Sequence, residues 1–109
     1  MSYKIETIRT FDIQAKRLSK KYHSLKKDIL DLVTELIENP HMGTALGKNC
    51  YKIRMAISSK SKGKSGGARV ITHIQIINGT VYLLSIFDKS EKDSILESEI
   101  DILIKEILE

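Results

Sequence analysis

Hydrophobic and polar positions recur along this chain with two different periods. Tyr3 and Ile5 open a period-two alternation that fades near Ile8, which predicts a short strand. Thr10 is expected to cap the helix that follows, where Phe11, Ala15, Leu18 and Tyr22 form an apolar stripe among Lys16, Arg17, Lys20 and Lys21. Ser24 reads as the cap of a second helix, with Leu25, Ile29, Leu32, Val33, Leu36 and Ile37 on one side and Asn39-Pro40 as its stop. From Pro40 to Asn49 there is no periodicity, and Gly43 and Gly47 mark a loop.

The period of two then returns. Between Cys50 and Ser58, Tyr51, Ile53, Met55 and Ile57 alternate with Lys52, Arg54, Ala56 and Ser58, the pattern of an amphipathic strand. Ser58 to Gly67, SSKSKGKSGG, has nothing to contribute to a core and predicts a flexible basic loop. A strand over Ala68 to Ile77 would place Val70, Thr72, Ile74 and Ile76 on one face and Arg69, Ile71, His73 and Gln75 on the other. Asn78-Gly79 predicts a tight hairpin turn into Val81 to Phe87, apolar enough for a central strand. Ser94 and Glu97 have capping-box spacing ahead of a last helix carrying Ile95, Leu96, Ile100, Leu103, Ile104, Ile107 and Leu108. The order β-α-α-β-β-β-α predicts an α+β fold in which an antiparallel sheet carries two helices on one face and a C-terminal helix.

Composition narrows the class. At 109 residues, with 41% hydrophobic and 29% charged side chains, the chain suits one soluble globular core and not two, so a single domain over 1–109 is expected. Cys50 is the sole cysteine and cannot form an internal disulfide; the N-terminus lacks a signal-like apolar segment, and no run approaches the roughly 20 apolar residues of a membrane span. A cytoplasmic protein with no membrane partner is the expectation. The net charge of +4 conceals its distribution: residues 1–38 sum to +2, residues 39–87 to +7 with no carboxylate at all, and residues 88–109 to −5. A long carboxylate-free segment fits an anionic partner such as a phosphate backbone, although a solvated basic surface is an equally simple reading of charge alone.

The side chains limit the chemistry further. His23, His41 and His73 are not at ligand spacing and the basic segment has no Asp or Glu, so neither a metal nor another cofactor is expected. Cys50 at the start of an apolar strand suits a buried small hydrophobe better than a nucleophile. Gly63-Lys64-Ser65 matches the tail of a P-loop, but a strand and not a helix follows, leaving Lys60, Lys62 and Lys64 as a basic loop able to approach phosphate. Lys52 and Arg54 leave one strand face about 7 Å apart, and Arg69 and His73 join them if the next strand pairs alongside. A solvent-facing polar sheet is the competing account. Like charges on neighbouring strands repel, however, and an anion between them would relieve that. Such a set suits RNA cleavage by the substrate's own 2′-hydroxyl, with Arg54 and Arg69 on the phosphate and Lys52 and His73 competing as proton carriers.

The run YKIRMAISSKSKGKSGGARVITHI, followed by VYLLSIFDKSE and a terminal helix, resembles the RelE/HigB/ParE superfamily of bacterial type II toxins. FDIQAKRLSKKYHSL and the segment from Asn39 to Gly47 are similar to RelE-type toxins as well, so the resemblance covers nearly the whole chain. It implies a four-stranded, mainly antiparallel sheet with two N-terminal helices, and a ribosome-dependent mRNA endonuclease neutralised by a cognate antitoxin. Its partners would then be that antitoxin, the ribosome and mRNA. Carried across by position, Lys52, Arg54, Arg69 and Lys89 match the family's basic site residues. The prototype's catalytic Tyr near the last helix is replaced here by Ile95, which makes His73 or Lys52 the substitute base. Phe87 could stack on a base, and Lys60, Lys62 and Lys64 resemble a HigB-like grip on ribosomal RNA. A ParE-like gyrase poison on the same fold and a non-catalytic RNA- or ribosome-binding module are the alternatives.

Overall fold

A computed structural model describes residues 3–108, so the outermost residues of the expected domain lie outside it. The elements are β1 (Lys4–Thr7), α1 (Arg9–Lys21), α2 (Leu25–Glu38), β2 (Thr44–Gly47), β3 (Cys50–Met55), β4 (Ala68–Gln75), β5 (Thr80–Asp88) and α3 (Glu97–Ile107). All five strands form one sheet in the order β1-β5-β4-β3-β2; β1 runs parallel to β5 and the other neighbours are antiparallel. The α+β class and both helical stripes follow the sequence pattern: Phe11 and Leu18 of α1 and Leu25, Leu32 and Leu36 of α2 are buried with Ile53, Met55, Val70 and Ile86 of the sheet.

The fifth strand is β2, in the segment read as loop. All four of its residues are exposed, so no apolar alternation marks it, and its pairing with β3 forms through the backbone alone. Lys48 and Asn49 both have positive φ, 56° and 60°, and close the β2–β3 hairpin as the kind of two-residue turn expected at Asn78-Gly79. The β4–β5 hairpin has a longer connection, Ile76 to Gly79, with Gln75 opposite Thr80. Ile76 and Ile77 therefore lie outside the strand and are exposed.

Opposite residues of paired strands share a face. The register between β4 and β5 is regular except at a bulge, where Ile71 faces Ser85 and Thr72 faces Leu83, leaving Leu84 unmatched.

Helix starts differ from the expected caps. Thr10 is inside α1; its N–H and hydroxyl donate to the Glu106 carboxylate of α3 at 2.9 and 2.6 Å, so a distant helix satisfies the start of α1. Ser24 does precede α2, but its hydroxyl donates to Asp28 and pairs with Ser59 rather than capping. The cap of α3 falls two residues later than the Ser94 reading and is one-sided, with the Leu96 N–H donating to the Glu99 carboxylate at 3.1 Å and no acceptor on the leucine side chain to return the bond. Besides burying Ile100 and Leu103, α3 is tied to the β2–β3 turn by Lys48, which pairs with Glu97 and Asp101.

Candidate anion site on the sheet

The strand register sorts the expected site residues into rows. Cys50 is opposite His73, Lys52 opposite Ile71, and Arg54 opposite Arg69, with Phe87 beyond Arg69 on β5. One step further, the Lys89 N–H donates to the Gly67 carbonyl at 3.0 Å. Lys52, Arg54, Arg69 and Lys89 thus come from three consecutive rows of one face, spaced about 7 Å apart. His73 lies two rows from the Arg54–Arg69 pair, about 13 Å along the strand.

Arg54 and Lys89 are exposed and Lys52 is half-buried, so these three can meet a ligand directly. Pairing with β2 ends at Lys52, which leaves Arg54 on an open edge of β3. There it shares a groove of about 160 Å³ with Lys64, beside Asp31 and Glu35 of α2. Arg69 departs from the expected phosphate fork. It is only 4% exposed, and its guanidinium donates to the carbonyls of Lys64 at 3.0 Å, Ala68 at 3.1 Å and Ser65 at 3.2 Å. Its charge lies beneath the site while its N–H groups hold the basic loop.

The loop is also more ordered than its composition implies. Ser58–Lys60 forms a 3-10 turn, and Lys60 donates to the fully buried Asp88 at 2.8 Å, so Lys60 is not part of an exposed grip. Only Lys62 and Lys64 of that trio are exposed. Burial would raise the Asp88 carboxyl, but the Lys60 ammonium, the Tyr22 hydroxyl at 2.5 Å and the Ser90 N–H outweigh it and hold it well below the usual carboxylate range. Asp88 in turn raises Lys60.

Two other expectations change. Phe87 is buried, with the Lys92 ammonium 5.3 Å from its ring centroid, so it is not presented for base stacking. His73 is 8% exposed, and its Nδ1 lies 3.4 Å from the Cys50 sulfur. Burial lowers the imidazole pKa, with the Lys48 backbone pulling the other way, and the same burial pushes the Cys50 thiol up to about 11. The pair is therefore neutral near pH 7, which fits the reading of Cys50 as a small buried residue and sets His73 apart from the cationic cluster. Sequence reasoning missed Asp28, Tyr22 and Asp88, whose carboxylates and hydroxyl hold this loop; an Asp ending the apolar strand VYLLSIFD was the available signal.

An α+β domain with a cationic row across one sheet face, flanked by an anchored lysine loop, presents a surface complementary in charge to a polyanion. The model for the RelE toxin of the RelE/RelB toxin–antitoxin system matches residues 8–107, and the chain belongs to that family. Two solved structures share the fold. A double arginine-to-alanine mutant of the E. coli RelE toxin, in the free state, aligns over 98% of this chain and 99% of its own, with 16% identity and a TM-score of 0.65. The isolated E. coli RelE toxin aligns over 95% of this chain and 98% of its own, with 18% identity and a TM-score of 0.58.

Proposed function

We propose that this chain is the toxin of a type II toxin–antitoxin pair and cleaves mRNA on the ribosome, using the substrate's 2′-hydroxyl as nucleophile. The observation that carries this reading is the placement of Lys52, Arg54, Arg69 and Lys89 on consecutive rows of one sheet face, in a chain of the RelE family. Arg54 and Lys89 contact the scissile phosphate and stabilise the charge that grows on it, and Arg69 adds its field from below. Lys52, one row away, takes or delivers the proton. It is favoured over His73 because it adjoins Arg54 on the same strand face, whereas His73 is buried against Cys50. Lys62 and Lys64 hold flanking RNA by backbone charge. A cognate antitoxin with an acidic or extended segment covers this face and blocks it.

Induction of the wild-type chain without antitoxin should stop growth and produce new mRNA 5′ ends within translated frames, mapped by end sequencing. Arg54→Ala combined with Lys89→Ala should abolish both. Intact transcripts alongside accumulated cleaved DNA would replace this reading with gyrase poisoning, and ribosome binding without cleavage would reduce it to a binding module.

A further inference from the structure

Three side chains that carry full charges at neutral pH are buried among the described residues: Asp28, Arg69 and Asp88. They come from α2, β4 and the end of β5, yet all three make hydrogen bonds to one segment, Ser58 to Ser65. Asp28 accepts from the Ser58 N–H at 3.0 Å and the Ser58 hydroxyl at 2.6 Å, and the Ser24 hydroxyl oxygen accepts from the Ser59 N–H at 2.9 Å. Asp88 holds Lys60, whose ammonium also lies 5.5 Å from the Tyr22 ring centroid. Arg69 donates to the carbonyls of Lys64 and Ser65. Between these ties the chain turns through positive φ at Ser61 and Gly63, 58° and 63°, and presents Lys62 and Lys64 outward.

Buried charges are retained only where partners compensate their desolvation, and apolar replacements of such pairs are often no less stable. Three of them directed at one short surface loop are therefore hard to explain by stability. Fixing a lysine loop before a polyanion arrives removes the ordering cost that a floppy loop would add to binding.

We propose that Asp88 and Asp28 are positioning residues for the RNA site, Asp88 acting through Lys60 and Asp28 through Ser58, so that exposed Lys62 and Lys64 stand preformed, Lys64 in the groove it shares with Arg54. This rests on the nuclease reading for its purpose but not for its structural content. The loop is a rigid extension of the sheet face, and its rigidity governs how tightly programmed ribosomes bind and not how fast the bond breaks.

The test compares the wild-type chain with Lys60→Arg, with Tyr22→Phe, and with the paired change Asp88→Asn plus Lys60→Met, which leaves no orphaned charge. Amide hydrogen exchange over residues 60–67, read against the β4 amides, should quicken about tenfold in the paired variant, rise less in Tyr22→Phe, and stay near wild type in Lys60→Arg. In steady-state cleavage of ribosome-bound mRNA, KM should rise about tenfold in the paired variant with kcat within about twofold, while Lys60→Arg should keep the wild-type KM. Unchanged loop exchange in a folded paired variant would overturn the proposal, as would a loosened loop with an unchanged KM. If the paired variant does not fold, Tyr22→Phe decides by the same two readouts. A wild-type chain that cuts no mRNA would overturn the nuclease reading alone, and loop exchange would still decide whether Asp88 orders the loop.

Discussion

Lys52 and His73 show how strand register separates two candidates that sequence could not. Both lie on the cationic side of the alternation, but Lys52 pairs with Ile71 next to the Arg54–Arg69 row, while His73 pairs with Cys50 and is buried there. Lys52→Met should lower the single-turnover cleavage rate by about 100-fold or more and leave ribosome binding intact. His73→Gln should change that rate less than about threefold, its cost showing instead as a lower melting temperature. A large loss of rate in His73→Gln with Lys52→Met unaffected would exchange their roles. Side-chain type and face were readable here; burial was not, because Phe87, Arg69 and Lys60 are covered or engaged by Lys92, the loop carbonyls and Asp88, contacts that no alternation along the chain announces.

Elements announced themselves wherever an apolar stripe had to be buried. Both N-terminal helices, the last helix and the three longer strands were legible for that reason. β2 was not, since an exposed edge strand needs only backbone partners, and neither were the starts of α1 and α3, the first satisfied across a distance as great as Thr10 to Glu106, although α2 does begin after Ser24. The glycine-rich end of the basic loop is likewise a close approach and not merely a flexible linker. A Cβ on Gly67 would sit 2.2 Å from the Met55 carbonyl oxygen and 2.9 Å from the Ile57 nitrogen. Gly67→Ala should therefore destabilise the chain by about 1–3 kcal/mol in chemical denaturation, through forced separation of β3 from the loop end. Gly63→Ala, with open space around its Cβ but positive φ, should cost only about 1 kcal/mol.

For the molecule as a whole, the buried charges define a pH window. Against the effect of their burial, Asp88 and Asp28 are held below their ordinary range by Lys60 and by the serine and tyrosine donors. Their stabilisation is fully present above about pH 4 and is lost as pH falls through their folded-state values. Lys60 is raised by Asp88, so its share is present below about pH 10 and is lost as pH rises above that. Urea midpoints should be highest near neutral pH and fall on both sides, with buried His73 adding a loss below about pH 6.5 and buried Cys50 a loss above about pH 9. The fall below about pH 4 should be reduced in Asp88→Asn plus Lys60→Met. An acid limb unchanged in that variant would remove Asp88 from the titration. Among the described residues no helix is long and apolar enough to cross a membrane.

The unmatched Leu84 gives β5 one residue of spare length. Leu83 and Ser85 are two apart in sequence, yet they pair with adjacent residues of β4 and so point to opposite sides of the sheet. Removing Leu84 would join those two without changing the partner of either, and the lysine five residues on would keep its place opposite Gly67, one row beyond Arg69. Removing Ser85 as well, with the hairpin end held, would exhaust that allowance. Every later side chain would change sides, Asp88 would come opposite Arg69, and a carboxylate would stand where the cationic row now runs. The register that aligns the cluster thus survives the loss of one amino acid from this strand but not of two, although losing Leu84 also empties a fully buried position of the core.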